Sequence, residues 1–131
     1  MLTVKINSFS YKRGLPHDNS GNGGGFIFDC RSIHNPGRYD EFKLLTGKDK
    51  KVIDFFENEA EMSLFLKNVY ALINQTVKKY IERDFSHLMV SFGCTGGQHR
   101  SVYCAERLSK YIKENFNIHV ELIHIEQELK K

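Results

Sequence analysis

His87-Leu88-Met89-Val90-Ser91-Phe92-Gly93-Cys94-Thr95-Gly96-Gly97-Gln98-His99-Arg100-Ser101 is the stretch whose reading decides the fold. Its first half, His87 to Gly93, is a short apolar run suited to a buried strand. Small and polar residues follow from Thr95 to Ser101. Beyond them Ala105, Leu108, Ile112 and Phe116 recur at three-and-four spacing and mark the buried face of a helix that begins near Gly97–His99. A strand, a tight glycine turn and a helix N-terminus make one half of an α/β unit. The other half is a last strand over 118–125, where Ile118, Val120, Leu122 and His124 alternate with His119, Glu121 and Ile123. Strand–helix–strand of this kind is expected to be a parallel crossover.

Working toward the N-terminus, a long helix precedes the first of these strands. Met62, Phe65, Leu66, Val69, Leu72, Ile73, Val77 and Tyr80 form a helical stripe, read as core. Asn58 with Glu61 three residues later is a candidate capping pair for it. Residues 40–57 read as one or two short helices broken near Thr46-Gly47. Phe26-Ile27-Phe28 is a short strand that ends at Asp29-Cys30-Arg31. Leu2, Val4 and Ile6 alternate with Thr3, Lys5 and Asn7, which gives a strand over 2–9. Residues 12–25 are crowded with glycine and asparagine and read as a long loop. The expected architecture is a single α/β domain over residues 1–131. It has a small, mostly parallel sheet of about four strands with flanking helices.

Length and composition fit that reading. The chain has 131 residues, 40% hydrophobic and 27% charged, so it is globular rather than disordered. No run approaches the roughly 18–20 apolar residues of a membrane span. No basic-then-apolar secretion signal opens it. The cysteines are Cys30, Cys94 and Cys104, an odd number without paired spacing. That argues against a disulfide framework and a zinc site, and it fits a reducing cytoplasm. The net charge is only +3, too small to make nucleic-acid binding the default. Residues 1–51 nevertheless carry nine Lys/Arg against five Asp/Glu, so positive charge collects in the loop-rich first third.

The turn after the strand carries the chemistry. First-turn amides of a helix have no intrahelical partner, and the helix dipole adds positive potential there. Gly96 and Gly97 let an anion approach the backbone, and Thr95, Gln98, His99, Arg100 and Ser101 add side-chain donors. Lys12, Arg31 and Asn35, in flanking loops, are further candidates for the same pocket. Arg100 is expected to face that pocket, with little role in stability. The lysine and spacing of a P-loop are missing. An alternative uses Cys94 and Arg100 as catalytic residues, because Cys-x5-Arg-Ser at such a turn is the layout of cysteine phosphatases. Asp18 and Asp29 are then the available acids. No metal site and no cofactor are expected.

Ser8-Phe9-Ser10-Tyr11-Lys12-Arg13-Gly14-Leu15-Pro16, Phe28-Asp29-Cys30-Arg31, Asn35-Pro36, Leu44-Leu45-Thr46-Gly47-Lys48-Asp49 and Gly93 to Tyr103 occur in that order. Together they resemble the C-terminal domain of the RapZ (YvcJ/YhbJ) family of bacterial RNase adapter proteins, over about Thr3 to His124. The resemblance implies a fold like a phosphofructokinase subdomain. It implies a pocket for a phosphorylated sugar, such as the amino-sugar phosphate glucosamine-6-phosphate, lined by the Thr-Gly-Gly-x-His-Arg-Ser loop and the arginine loop. It also implies a regulatory, adapter-type role, self-association and RNA binding, and a separate nucleotide-binding domain as the family's other half. The sequence departs from the family in three places. It is expected to lack the nucleotide-binding domain. Gly37 stands where a histidine usually follows Asn-Pro. The chain ends Glu126-Gln127-Glu128-Leu129-Lys130-Lys131 rather than in a basic tail, which lowers the expectation of RNA binding unless several copies assemble.

Overall fold

The computed structural model describes residues 1–130. Four strands, β1 (Thr3–Ser10), β2 (Gly25–Asp29), β3 (His87–Cys94) and β4 (His119–His124), form one sheet in the order β2-β3-β1-β4. Every pairing is parallel. Four helices accompany them: α1 (Lys50–Glu57), α2 (Ala60–Glu82), α3 (Arg100–Asn115) and α4 (Ile125–Leu129). Two short 3-10 turns, Pro36–Arg38 and Asp40–Phe42, lie between β2 and α1.

The register explains the core. Phe26 of β2 lies opposite Val90 of β3, Val90 opposite Ile6 of β1, and Ile6 opposite Leu122 of β4. This row and its neighbours Val4, Leu88 and Phe92 point to one face, where they pack with Leu66, Val69 and Ile73 of α2 and Leu108 and Ile112 of α3. Both β3 and β4 pair with β1, so the β3–α3–β4 connection passes over β1 and brings the α3 N-terminus to the C-terminal edge of the sheet. Segment 12–24 runs along the opposite face. There Leu15, Pro16, Ile27 and Met89 border a cavity of about 260 Å³.

Three expectations about local structure need correction. Asn58 does not cap α2; it ends α1, and its side-chain amide donates to the Asp54 carbonyl at 2.8 Å. The residue preceding α2 is Glu59, and it makes no side-chain cap. Leu72 is 42% exposed rather than core. At about 100° per residue it falls roughly a quarter turn away from the line through Met62, Leu66, Val69, Ile73 and Val77. The last strand, expected over 118–125, spans His119–His124, and Ile125 opens α4.

Candidate anion-binding site

The site begins where β3 ends. The turn Thr95–His99 is held from two sides. From the β1 side, the Tyr11 amide donates to the Cys94 carbonyl at 3.0 Å and the Ser10 hydroxyl donates to the Thr95 carbonyl at 2.6 Å. From the other side, Gln98 Nε2 donates to the carbonyls of Lys43 and Leu45, both at 2.7 Å, and the Gly47 amide donates to the Gln98 carbonyl. The turn is therefore fixed before any ligand arrives.

Two glycines have different reasons to be there. Gly97 has a φ of +64°, and a Cβ on it would lie 2.7 Å from Glu126 Cγ and 3.0 Å from the Phe9 and Ser10 backbone. It needs both the left-handed conformation and the space. Gly96 meets nothing within 4 Å and faces open solvent. A third glycine, Gly47, lies flush on α3, where a Cβ would collide with the Tyr103 amide nitrogen and the His99 carbonyl.

Helix α3 opens at His99 without a side-chain cap, so its first-turn amides are left to solvent or a ligand. His99 is 7% exposed, and its Nε2 lies 2.8 Å from the Phe42 carbonyl. Only an Nε2–H can make that bond, which leaves Nδ1 as the acceptor of a neutral ring. Burial pushes the imidazole below its ordinary value, opposed in part by the Phe42 and Leu45 carbonyls. Arg100 is 5% exposed. Its Nη1 donates to the carbonyls of Arg31 at 2.8 Å and Ile33 at 3.0 Å, while its Nε is buried with no partner among the described residues. Arg100 therefore does more than face the pocket, because it ties the end of β2 to α3.

A cavity of about 370 Å³ sits at this point. The structure brings Asn35, Thr95, Gly96, Gln98, His99 and Arg100 to its wall. Gly37, Lys43 and Cys94 complete the lining, and no Asp or Glu is among these nine residues. Four candidates lie off the wall. Gly97 packs toward β1 and Glu126. Ser101 is fully buried, with its Oγ 3.1 Å from Cys94 Sγ. Arg31 forms a two-bond pair with Asp29 and lies over the Tyr11 ring at 3.7 Å, which holds the Asp29 carboxyl below its usual range. Lys12 is exposed in the turn after β1. Sequence reasoning missed Lys43 as a lining residue. No local signal marks it, because its segment is brought to the turn by long-range bonds, from Gln98 to its own carbonyl and that of Leu45 and from His99 to the Phe42 carbonyl. No helix of the described residues is long and apolar enough to cross a membrane.

Comparison with known proteins points to one family. The family model described as RapZ C-terminal domain matches residues 2–128. A nucleotide-binding protein of Endomicrobium trichonymphae is 41% identical over 112 residues, covering 86% of this chain and 37% of that protein. One of Xanthomonas euvesicatoria pv. vesicatoria is 35% identical over 127 residues, covering 97% of this chain and 43% of that protein. The chain thus spans well under half the length of these relatives. By the family match across nearly all of its length, it belongs to the RapZ C-terminal domain family.

Proposed function

We propose that this domain binds a phosphorylated small molecule, a phosphosugar or a similar compound, in the Cys94–Ser101 pocket and does not turn it over. The observation that carries this reading is the buried, unpartnered Nε of Arg100 at an uncapped helix N-terminus. A buried guanidinium nitrogen without an acceptor is costly unless an anion completes it. The wall that includes Lys43 has no carboxylate among its residues. Each hydrogen bond to a charged group contributes on the order of 1.5–3 kcal/mol, so several together favour phosphate over a neutral ligand. In this reading the bound state is the signal, passed on in a regulatory, adapter-type role to a protein partner or to RNA.

One observation favours the phosphatase alternative: Cys94 Sγ and Ser101 Oγ are 3.1 Å apart, in reach for the hydroxyl to steady a thiolate. Against it, Cys94 is 2% exposed and packs in the core, and Arg100 Nη1 is spent on two carbonyls. Asp29 is engaged by Arg31, and Asp18 is bound to Ser20 and Gly24 within segment 12–24. Calorimetry with sugar phosphates against the same sugars without phosphate tests the main reading; equal affinity for both overturns it. Phosphate release that disappears in Cys94→Ser establishes the alternative.

A further inference from the structure

We infer that Asn22 is a site of spontaneous covalent modification: the Gly23 backbone nitrogen closes a succinimide on its side chain, ammonia leaves, and a carboxylate takes the place of the amide. Segment 12–24 thereby carries a slow change of charge on the back of the sheet.

The chain has nine asparagines, and Asn22 is the only one followed by glycine. A following glycine has no side chain to shield its nitrogen, and its backbone turns freely toward the asparagine side chain. Asn22 and Gly23 are both exposed. Gly23 has a φ of +82°, and a Cβ on it would meet nothing within 4 Å. Its N–H donates to no acceptor among the described residues, whereas the next amide, that of Gly24, donates to Asp18 Oδ2 at 2.8 Å. The attacking nitrogen is therefore neither covered nor tied into a bond. Asn19 supplies the contrast within the same turn. It is exposed too, but the nitrogen that would attack it belongs to Ser20 and donates to Asp18 Oδ1 at 2.9 Å. Asn35 precedes Pro36, which has no N–H to give up. Asn7 is 3% exposed within β1.

The step balances with water alone. The Gly23 nitrogen bonds to Asn22 Cγ and gives its proton to hydroxide. The Cγ–Nδ2 bond breaks, and the nitrogen takes a proton from water and leaves as ammonia. Water then adds to either carbonyl of the ring and gives aspartate or isoaspartate. The product loses the Nδ2 donor that Ser20 Oγ accepts at 2.9 Å. That same hydroxyl donates to Asp18 Oδ1 at 2.7 Å, so the new carboxylate lies one hydroxyl away from an existing one. The Ser20 hydroxyl, with the Ser20 and Gly24 amides, holds the Asp18 carboxyl down to about 2, so it is ionised at neutral pH and repels the newcomer. Gly23 and Gly24 border the cavity beneath Leu15 and Pro16, so a loosened turn opens one edge of it.

The test is incubation of the folded chain at neutral and mildly alkaline pH, followed over time by peptide mapping. Trypsin releases residues 14–31 as one peptide, in which Asn19 and Asn22 are the only asparagines. Asn22 should convert about tenfold faster than Asn19, faster at the higher pH, and to both aspartate and isoaspartate. Gly23→Ala should slow the conversion about tenfold, because a methyl group then shields the nitrogen. Asn22→Asp, which mimics one product, should speed hydrogen exchange of the Gly24 amide severalfold at an unchanged melting temperature. The urea-unfolded wild type gives the rate without any fold, and the folded rate should lie within about threefold of it, since nothing covers the site. Conversion no faster than at Asn19, aspartate without isoaspartate, an unchanged rate in Gly23→Ala, or a folded rate far below the unfolded one overturns the inference. An unchanged Gly24 exchange rate in Asn22→Asp overturns the loosening of the turn.

Discussion

Arg100 Nη1 lies 2.8 Å from the carbonyl oxygen of Arg31, a residue 69 positions earlier in the chain. Through this bond and its companion to Ile33, the first residue of α3 anchors the segment that leaves β2 and leads on to Asn35 and Gly37. In the proposed reading, the guanidinium whose Nε would meet an anion is also the group that fixes one wall of the pocket. In that reading binding and local stability are coupled at this residue.

Arg100→Ala should consequently do two things. It should abolish measurable sugar-phosphate binding, and it should lower stability by about 2–4 kcal/mol, since one buried and one part-buried carbonyl lose their donor. Urea unfolding and calorimetry on the same preparation check both effects. Loss of binding at unchanged stability would mean that the carbonyl bonds contribute little. Arg100→Lys should recover part of the stability but less of the binding, because an ammonium cannot reproduce the planar fork.

The adjacent glycines give a sharper contrast. Gly96→Ala adds a methyl group into open space, so the fold should change by less than about 0.5 kcal/mol. Any loss of ligand affinity in that variant reports steric exclusion at the pocket mouth. Gly97→Ala forces a side chain into the left-handed region and against Glu126 and the β1 backbone, and should cost about 1–3 kcal/mol. Thermal unfolding of the two variants side by side decides the matter; equal destabilisation would contradict the different roles assigned to them.

Much of this site was legible in the sequence. The alternation in β1 and β4, and the change from strand to helix periodicity across Gly93–Ser101, placed the turn correctly. That turn is a local feature, decided by residues within about ten positions of one another. Lys43 was not legible, because what brings it to the wall is a side-chain bond from Gln98, 55 residues away. Leu72 and Asn58 misled for the opposite reason. Each satisfies a local rule, but the width of the contact between α2 and its neighbours, and the end of α1, decided their environment instead.

His99 makes stability depend on pH. Its folded-state pKa lies below the ordinary value, because burial disfavours the imidazolium. The unfolded chain therefore binds the proton more readily, and stability rises with pH across the window between the two values. The contribution is fully present above about pH 6.5 and is lost as pH falls through the lower folded value. A pH series of urea midpoints for the wild type and His99→Gln should show the gap narrowing on acidification below about 6.5. A gap that stays constant from pH 7.5 to 5 would show that His99 does not titrate as described.

RNA binding by this domain as a monomer should be weak. Four of the nine Lys/Arg of the first third are held in ion pairs. Arg13 is bonded to Glu126, Arg31 to Asp29, Lys43 to Asp40 and Lys50 to Asp54. That leaves Lys5, half-buried in β1, and the exposed Lys12, Arg38, Lys48 and Lys51, of which the four exposed ones are most available to a phosphate backbone. With about four contacts, the affinity should fall roughly a hundredfold between 50 and 200 mM salt and leave little binding at the higher value. If RNA is a partner, several copies must present these loops side by side, since linked sites gain avidity without new contacts. A gel-shift titration against structured RNA at the two salt concentrations, on protein shown to be monomeric, tests this. Submicromolar binding that survives 200 mM salt would overturn it. It would place the RNA on a surface other than the basic loops, because four partly screened cations cannot supply that affinity.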